Sequence, residues 1–168
     1  MIKKVGGPKD LANKVFTKIL VPVDGSKYAQ DAVEYALKIA KLTDAKIIAL
    51  HIMHLPTYAY AYSGGQGVSP VAIPTPLPVE VSDNEKMAAK KIVDDVAEAA
   101  KKAGVDAETR IVERHPSVPD AIIQFASEAN VDLIVIGTKG KTGIKRFLLG
   151  SVTESVMHHA HCPVLVVR

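Results

Sequence analysis

The sequence predicts an α/β fold, an open parallel sheet with helices on both faces. Three features carry this expectation. Short apolar runs recur with little polar alternation, at 18–23, 46–53, 133–136 and 164–167, as strands buried on both faces require. Segments with apolar residues at helical spacing lie between them. Alternating strand and helix then demands crossover connections, which are right-handed and leave few topologies.

The elements follow in order. After a polar leader, residues 1–15, the first strand runs into Asp24-Gly25-Ser26. Ser26 is a suitable N-cap, and Ala29, Val33, Ala36, Leu37 and Ala40 share one face of a helix ending near Leu42. The second strand covers 46–53. The stretch 54–81 breaks the rhythm, with five of the ten prolines, glycines at 64, 65 and 67, and tyrosines at 58, 60 and 62. It is longer than the usual connection in such folds. A lid over the sheet end, a partner-binding loop and a partly disordered insertion all fit that composition. Ser82 and Glu85 have capping-box spacing and open a helix that runs to about Ala103, ahead of Gly104. The third strand, 105–112, alternates partially, which suits a less buried position. Residues 117–120 open another helix, with Pro119 tolerated in its first turn and Ile122, Ile123, Ala126 and Ala129 on its core face. The fourth strand follows Asp132. Ser151 and Glu154 repeat the capping-box spacing, and Val152, Val156 and His159 recur on one face of the last helix, before the final strand.

A chain of 168 residues with 48% hydrophobic content suits one domain with a sizeable core, here 16–168. No apolar run is long enough to span a bilayer. The start, Met1-Ile2-Lys3-Lys4, leads into no hydrophobic stretch or cleavage signature, so neither membrane insertion nor secretion is expected. Cys162 is the single cysteine, which excludes an internal disulfide and points to the cytoplasm. The formal charge is +3, from scattered lysines, and five Tyr, three Phe and no Trp offer no base-stacking platform. That argues against a nucleic-acid partner and suits a small anionic ligand.

The pattern that carries chemistry is Gly137-Thr138-Lys139-Gly140, separated by nine residues from Gly150-Ser151. It begins where a buried strand ends and finishes where a helix begins. Residues without a Cβ let the backbone approach a ligand. First-turn N–H groups and the helix dipole attract phosphate oxygens, and Lys139, Lys141, Lys145 and Arg146 add positive field. Two familiar nucleotide loops are excluded. The Walker spacing needs a glycine at 135, where valine stands, and Asp24-Gly25-Ser26 lacks the triple glycine of the dinucleotide turn. Ligands of open parallel sheets bind beyond the strand carboxyl ends where chain order reverses. Strands one and four are the expected neighbours there, which sets Asp24 opposite the glycine segment.

Gly137-x-x-Gly140, nine residues and Gly150-Ser151, combined with Val21-Pro22-Val23-Asp24 and Pro163-Val164-Leu165-Val166-Val167, resemble the universal stress protein family, and within it the ATP-binding branch, over residues 16–168. The resemblance implies an open parallel five-stranded sheet in the order 3-2-1-4-5, Rossmann-like and of the adenine nucleotide alpha hydrolase type, and a homodimer. It implies bound ATP, with Mg2+ or Mn2+ arriving through the phosphates. Asp24 would receive the ribose hydroxyls and the main chain of Ile52 the adenine edge. Gly137, Gly140, Gly150, Ser151 and Val152 would meet the phosphates, while Pro22, Val23 and Ile136 line the base and sugar pocket. The chemistry agrees: a carboxylate accepts from two hydroxyls, and a main-chain edge reads adenine without a polar side chain. The simpler role for Asp24 is a turn residue ahead of the first helix.

Turnover is a separate matter. No carboxylate cluster follows the glycines to hold a metal and aim a water, and Glu154 is accounted for by capping. The leading expectation is therefore a nucleotide-responsive regulatory dimer with weak or no hydrolysis. A metal-dependent ATPase or phosphoryl-transfer enzyme and a nucleotide-independent adaptor are the alternatives. His158, His159, His161 and Cys162 crowd a helix end but point in different directions, which disfavours zinc and suits the helix dipole. His51 and His54 read as local packing or polar groups. The uncharged last strand needs cover, which symmetric pairing through Val164–Val167 of a second copy supplies. Segment 54–81 is the candidate surface for a separate protein partner.

Overall fold

The computed structural model describes residues 15–54, 59–63, 71–75, 81–140 and 149–168. In chain order the elements are β1 (Lys18–Pro22), α1 (Lys27–Thr43), β2 (Lys46–His54), β3 (Ala59–Ser63), β4 (Val71–Thr75), α2 (Asp83–Ala103), β5 (Ala107–His115), α3 (Val118–Glu128), β6 (Leu133–Gly137), α4 (Ser151–His159) and β7 (Val164–Val167). Five of the strands form one parallel sheet in the order β5-β2-β1-β6-β7. Counted within that sheet, this is the order 3-2-1-4-5.

The unbroken apolar runs divide between two cores because successive strand side chains point to opposite faces. Ile19, Val21, Val23, Ile47, Ala49, Leu133 and Val135 join α1 and α2 on one face. Leu20, Ile48, Leu50, Ile134 and Ile136 join α3 and α4 on the other. The buried face of α1 is Ala29, Ala32, Val33, Ala36 and Ala40, and residues this small let the helix lie close on the sheet.

Ser26, Ser82 and Ser117 cap α1, α2 and α3 as expected, each accepting from an amide three residues on. The Ser82–Glu85 pair forms a full capping box. Gly104 ends α2 at φ +69, and Val105 N–H is spent on the Ala100 carbonyl. That bond holds Val105 in the helix terminus, so β5 begins two residues later than the sequence pattern suggests and runs on to His115.

The stretch 54–81 contains structure that its composition hid. β3 and β4 pair antiparallel, Ala59 with Thr75 through Ser63 with Val71. Residues 55–58, 64–70 and 76–80 lie outside the described residues, as do residues 1–14 of the leader and Lys141, Lys145 and Arg146.

The sheet edges differ. β5 carries Glu108 and Arg110, which pair with each other, and Lys46 reaches Glu108 at 2.8 Å. That Lys46 bond holds the Glu108 carboxyl below its usual range. β7 is four residues without a charge, and Leu165 is exposed. Among the described residues, no helix is long and apolar enough to cross a membrane.

Candidate functional site at the ends of β1 and β6

β1 and β6 are neighbours, paired at Leu20 and Ile134, and both end on the same side of the sheet. Beyond β1 the chain turns at Gly25, φ +79, where a Cβ would be strained. Asp24 Oδ1 accepts the Ser26 N–H at 2.9 Å. Its other oxygen, Oδ2, faces Gly140, only 2.7 Å from where a Cβ on that residue would stand. Asp24 thus lies against the glycine segment, and its turn role and its placement in the crevice are simultaneous rather than alternatives.

The glycines of the segment are needed for space. The described residues with positive φ are Gly25, Gly104, Asp44 and Asn130, so Gly137 and Gly140 make no left-handed turn. A Cβ on buried Gly137 would stand 2.6 Å from the Tyr28 carbonyl oxygen, so the first turn of α1 rests directly on the end of β6. A Cβ on Gly150 would stand 3.3 Å from the Thr138 carbonyl oxygen and 3.4 Å from Lys139 Cα.

At α4 the structure corrects the expected cap. The N-cap is Gly150, with φ −70 and ψ 145 and no side-chain cap bond, and Ser151 is the first helical residue. Two tertiary bonds set this start. Gly150 N–H donates to the Thr138 carbonyl at 2.8 Å, and the buried Thr153 hydroxyl donates to the Gly137 carbonyl at 2.8 Å. Glu154 N–H then closes the first helical bond onto Gly150 at 2.9 Å. The amides of Ser151, Val152 and Thr153 are left without an intrahelical acceptor, at the positive end of the dipole. Thr153 and Val156, not His159, form the buried face of α4. Thr153 was not foreseen, because a threonine two residues into a helix carries no local signal for a bond to a strand sixteen residues earlier.

On the other flank, β2 outlasts β1. Val23 N–H donates to Leu50 C=O at 2.8 Å, so Leu50 presents its main-chain groups toward β1. By the period of two, Ile52 does the same, at a level where β1 has already turned away. The Ile52 N–H and C=O therefore face the space above Val23. Val23 and Ile136 are 5% exposed, and their side chains belong to the cores beneath that space. Pro22 is half-buried at the end of β1.

Two hollows open in the described surface. One, of about 510 Å³, begins at Val23 and Gly25 and runs between α1 and α2 past Val33, Ile92 and Val96. The other, of about 380 Å³, lies at the opposite end of the sheet beside Thr17 and Asp106. Among the described residues, no three His, Cys, Asp or Glu side chains gather as a metal would need. His158, His159 and His161 are exposed. Burial pushes the Cys162 thiol up, opposite to what a reactive thiolate requires.

The model of the universal stress protein family matches residues 16–168. A universal stress protein of Methanocaldococcus jannaschii is 36% identical over 155 residues, covering 92% of this chain and 83% of that protein. Among solved structures, a universal stress protein from Archaeoglobus fulgidus aligns with a TM-score of 0.66 at 25% identity, over 91% of this chain and 94% of its own. Another, solved in complex with cAMP, aligns with a TM-score of 0.64 at 27% identity, over 91% and 97%. By the family match over residues 16–168 and by these relatives, the chain belongs to the universal stress protein family.

Proposed function

We propose that this protein binds ATP in the crevice beyond β1 and β6 and acts as a nucleotide-responsive regulatory dimer with weak or no intrinsic hydrolysis. The observation that carries the reading is the placement of Asp24 Oδ2 against Gly140, on the segment that leads to α4 and its amides of Ser151, Val152 and Thr153 without a side-chain cap. A negative acceptor and a group of positive donors suit a ligand with hydroxyls at one point and phosphate at another. Asp24 takes the ribose hydroxyls, the amides at the start of α4 take phosphate oxygens, and the Ile52 main chain takes the adenine edge. Pro22, Val23 and Ile136 form the floor. Gly137, Gly140 and Gly150 keep Cβ atoms out of the approach. The relative solved with cAMP supports an adenine nucleotide as the ligand class. ATP is favoured over a cyclic nucleotide because Asp24 is matched to two free vicinal hydroxyls, and a 3′,5′-cyclic phosphate leaves one.

Mg2+ or Mn2+ enters this reading with the triphosphate, held by phosphate oxygens, and would supply charge neutralisation. The absence of a clustered carboxylate set among the described residues favours binding over turnover. Calorimetric titration of nucleotide-stripped protein with Mg–ATP tests it. Saturable binding is expected, weakened about 10- to 100-fold in Asp24→Ala, as loss of hydrogen bonds to a charged group implies, and weakened also in Gly140→Val. Unchanged affinity in both variants would overturn the site, and absence of binding by the unsubstituted protein would favour the adaptor reading.

The dimer is proposed through β7, whose four residues carry no charge to deter pairing. Val166→Lys should shift the monomer–dimer equilibrium toward monomer in sedimentation on dilution. A dimer equally resistant to dilution would move the interface elsewhere.

A further inference from the structure

The end of β2 carries a feature that the nucleotide reading does not use. In a regular parallel ladder the bond after Val23 N–H to Leu50 C=O runs from Ile52 N–H to Val23 C=O. Among the described residues the main-chain bonds between β1 and β2 stop at Val23 N–H. The Val23 carbonyl is met instead by Nδ1 of His51 at 2.7 Å. A carbonyl oxygen only accepts, so Nδ1 carries the proton. His51 follows Ala49 on the α1–α2 face, at the register position of Val23. The half-buried ring thus stands in for the missing rung.

We infer that His51 is a positioning residue that sets base specificity by holding the Val23 carbonyl and so sparing the Ile52 amide. The inference rests on the nucleotide reading above and extends it to the class of base. With Val23 satisfied by the ring, Ile52 offers both a donor and an acceptor to the crevice. That pair matches a 6-aminopurine, whose N1 accepts and whose 6-amino group donates. A 6-oxopurine presents N1–H to the Ile52 N–H, donor against donor, and is rejected. Without the ring, the Val23 carbonyl is left as a partly buried acceptor, and the main-chain donor that a regular parallel ladder assigns to it is Ile52 N–H. Closing that rung spends the amide and leaves only the Ile52 carbonyl, which accepts equally from the 6-amino group of adenine or the N1–H of hypoxanthine. His51 also fixes the peptide leading into Asp24, so it steadies the carboxylate through Val23.

The test compares His51→Phe, which keeps the ring without the donor, with His51→Asn, whose Nδ2 can occupy the position of Nδ1. In nucleotide-free protein, long-range ¹H–¹⁵N spectra should show the Nδ1–H form of His51, and the Ile52 amide should exchange freely with solvent. His51→Phe should protect that amide, and His51→Asn should leave it free. The unsubstituted protein should prefer ATP to ITP by about tenfold, the scale of one hydrogen bond gained or lost. The preference should fall toward unity in His51→Phe and return in His51→Asn. An Nε2–H ring, or an Ile52 amide indifferent to His51→Phe, would overturn the inference with no nucleotide present. An ATP preference retained in His51→Phe would overturn it while leaving the nucleotide reading intact. With the expected ring and amide behaviour, equal affinity for ATP and ITP in the unsubstituted protein would overturn the role in specificity alone, and binding of neither nucleotide would overturn the nucleotide reading with it.

Discussion

The starts of α1 and α4 follow adjacent strands and open on one crevice, yet they are finished in opposite ways. At α1 the Ser26 hydroxyl accepts from Ala29 N–H, the Ser26 carbonyl accepts from Gln30, and Asp24 takes the Ser26 amide. That end has a side-chain cap of its own on the Ala29 amide and presents a carboxylate. At α4 the cap is a glycine without a side chain, its own amide is spent on Thr138, and the next three amides have no intrahelical acceptor and no side-chain cap. A strand–turn–helix unit can thus supply either sign of charge from similar sequence, depending on whether the capping side chain is present.

The comparison can be broken most severely at the contact between its halves. Gly137→Ala would push a Cβ to within 2.6–2.9 Å of Tyr28 atoms and force α1 away from β6. A loss of roughly 1–3 kcal/mol is expected for such overpacking, read by urea unfolding. Thr153→Val should cost about 1–2 kcal/mol by leaving the Gly137 carbonyl without its hydroxyl partner, with ATP affinity also reduced as the start of α4 shifts. A smaller effect sharpens the contrast directly. Ser26→Ala should cost about 1 kcal/mol of stability while leaving ATP affinity within about twofold, because that end is read as closed to ligand. A tenfold loss of affinity in Ser26→Ala would erase the distinction between the two helix starts.

The fold was legible where local chemistry and tertiary outcome coincide. Unbroken apolar runs at 18–23, 46–53 and 133–136 could only be strands covered on both faces, and Ser26, Ser82 and Ser117 cap from their own segments. The fourth expected cap failed for an instructive reason. Ser151–Glu154 has the same spacing as Ser82–Glu85, but Thr138 and Gly137 capture Gly150 and Thr153 from a distant strand end, and no local pattern reports that competition. The β3–β4 hairpin was obscured by its prolines and glycines, although Tyr60 and Tyr62 do alternate at the strand period. Asp24 was readable as the residue opposite the glycine segment because chain-order reversal fixes which strand ends meet. The His51 bond was not, since an imidazole on a strand is compatible with packing, solvent or a carbonyl.

The third helix start, at α2, gives the smallest and most pH-dependent test. The Ser82 main-chain N–H and hydroxyl hold the exposed Glu85 carboxyl below its ordinary range. Because the folded value is the lower one, its contribution is present above the ordinary glutamate value near 4.5 and is lost as pH falls through the lowered one. Protection of the Ser82 and Glu85 amides should therefore decline on acidification through that window. The amides at the start of α4, with no carboxylate cap to titrate, should not respond with them.

The bond between Gly150 N–H and the Thr138 carbonyl has a consequence for how this protein can change. It ties the end of β6 directly to the start of α4, so Thr138 and Gly150 meet although eleven residues separate them in sequence. Lengthening a segment already closed at its base adds little, about 0.6 kcal/mol per doubling of a flexible loop. The sheet and α4 are thus insulated from what lies between. The chain between Thr138 and Gly150 can therefore differ in length and charge while the junction between those two residues stays fixed.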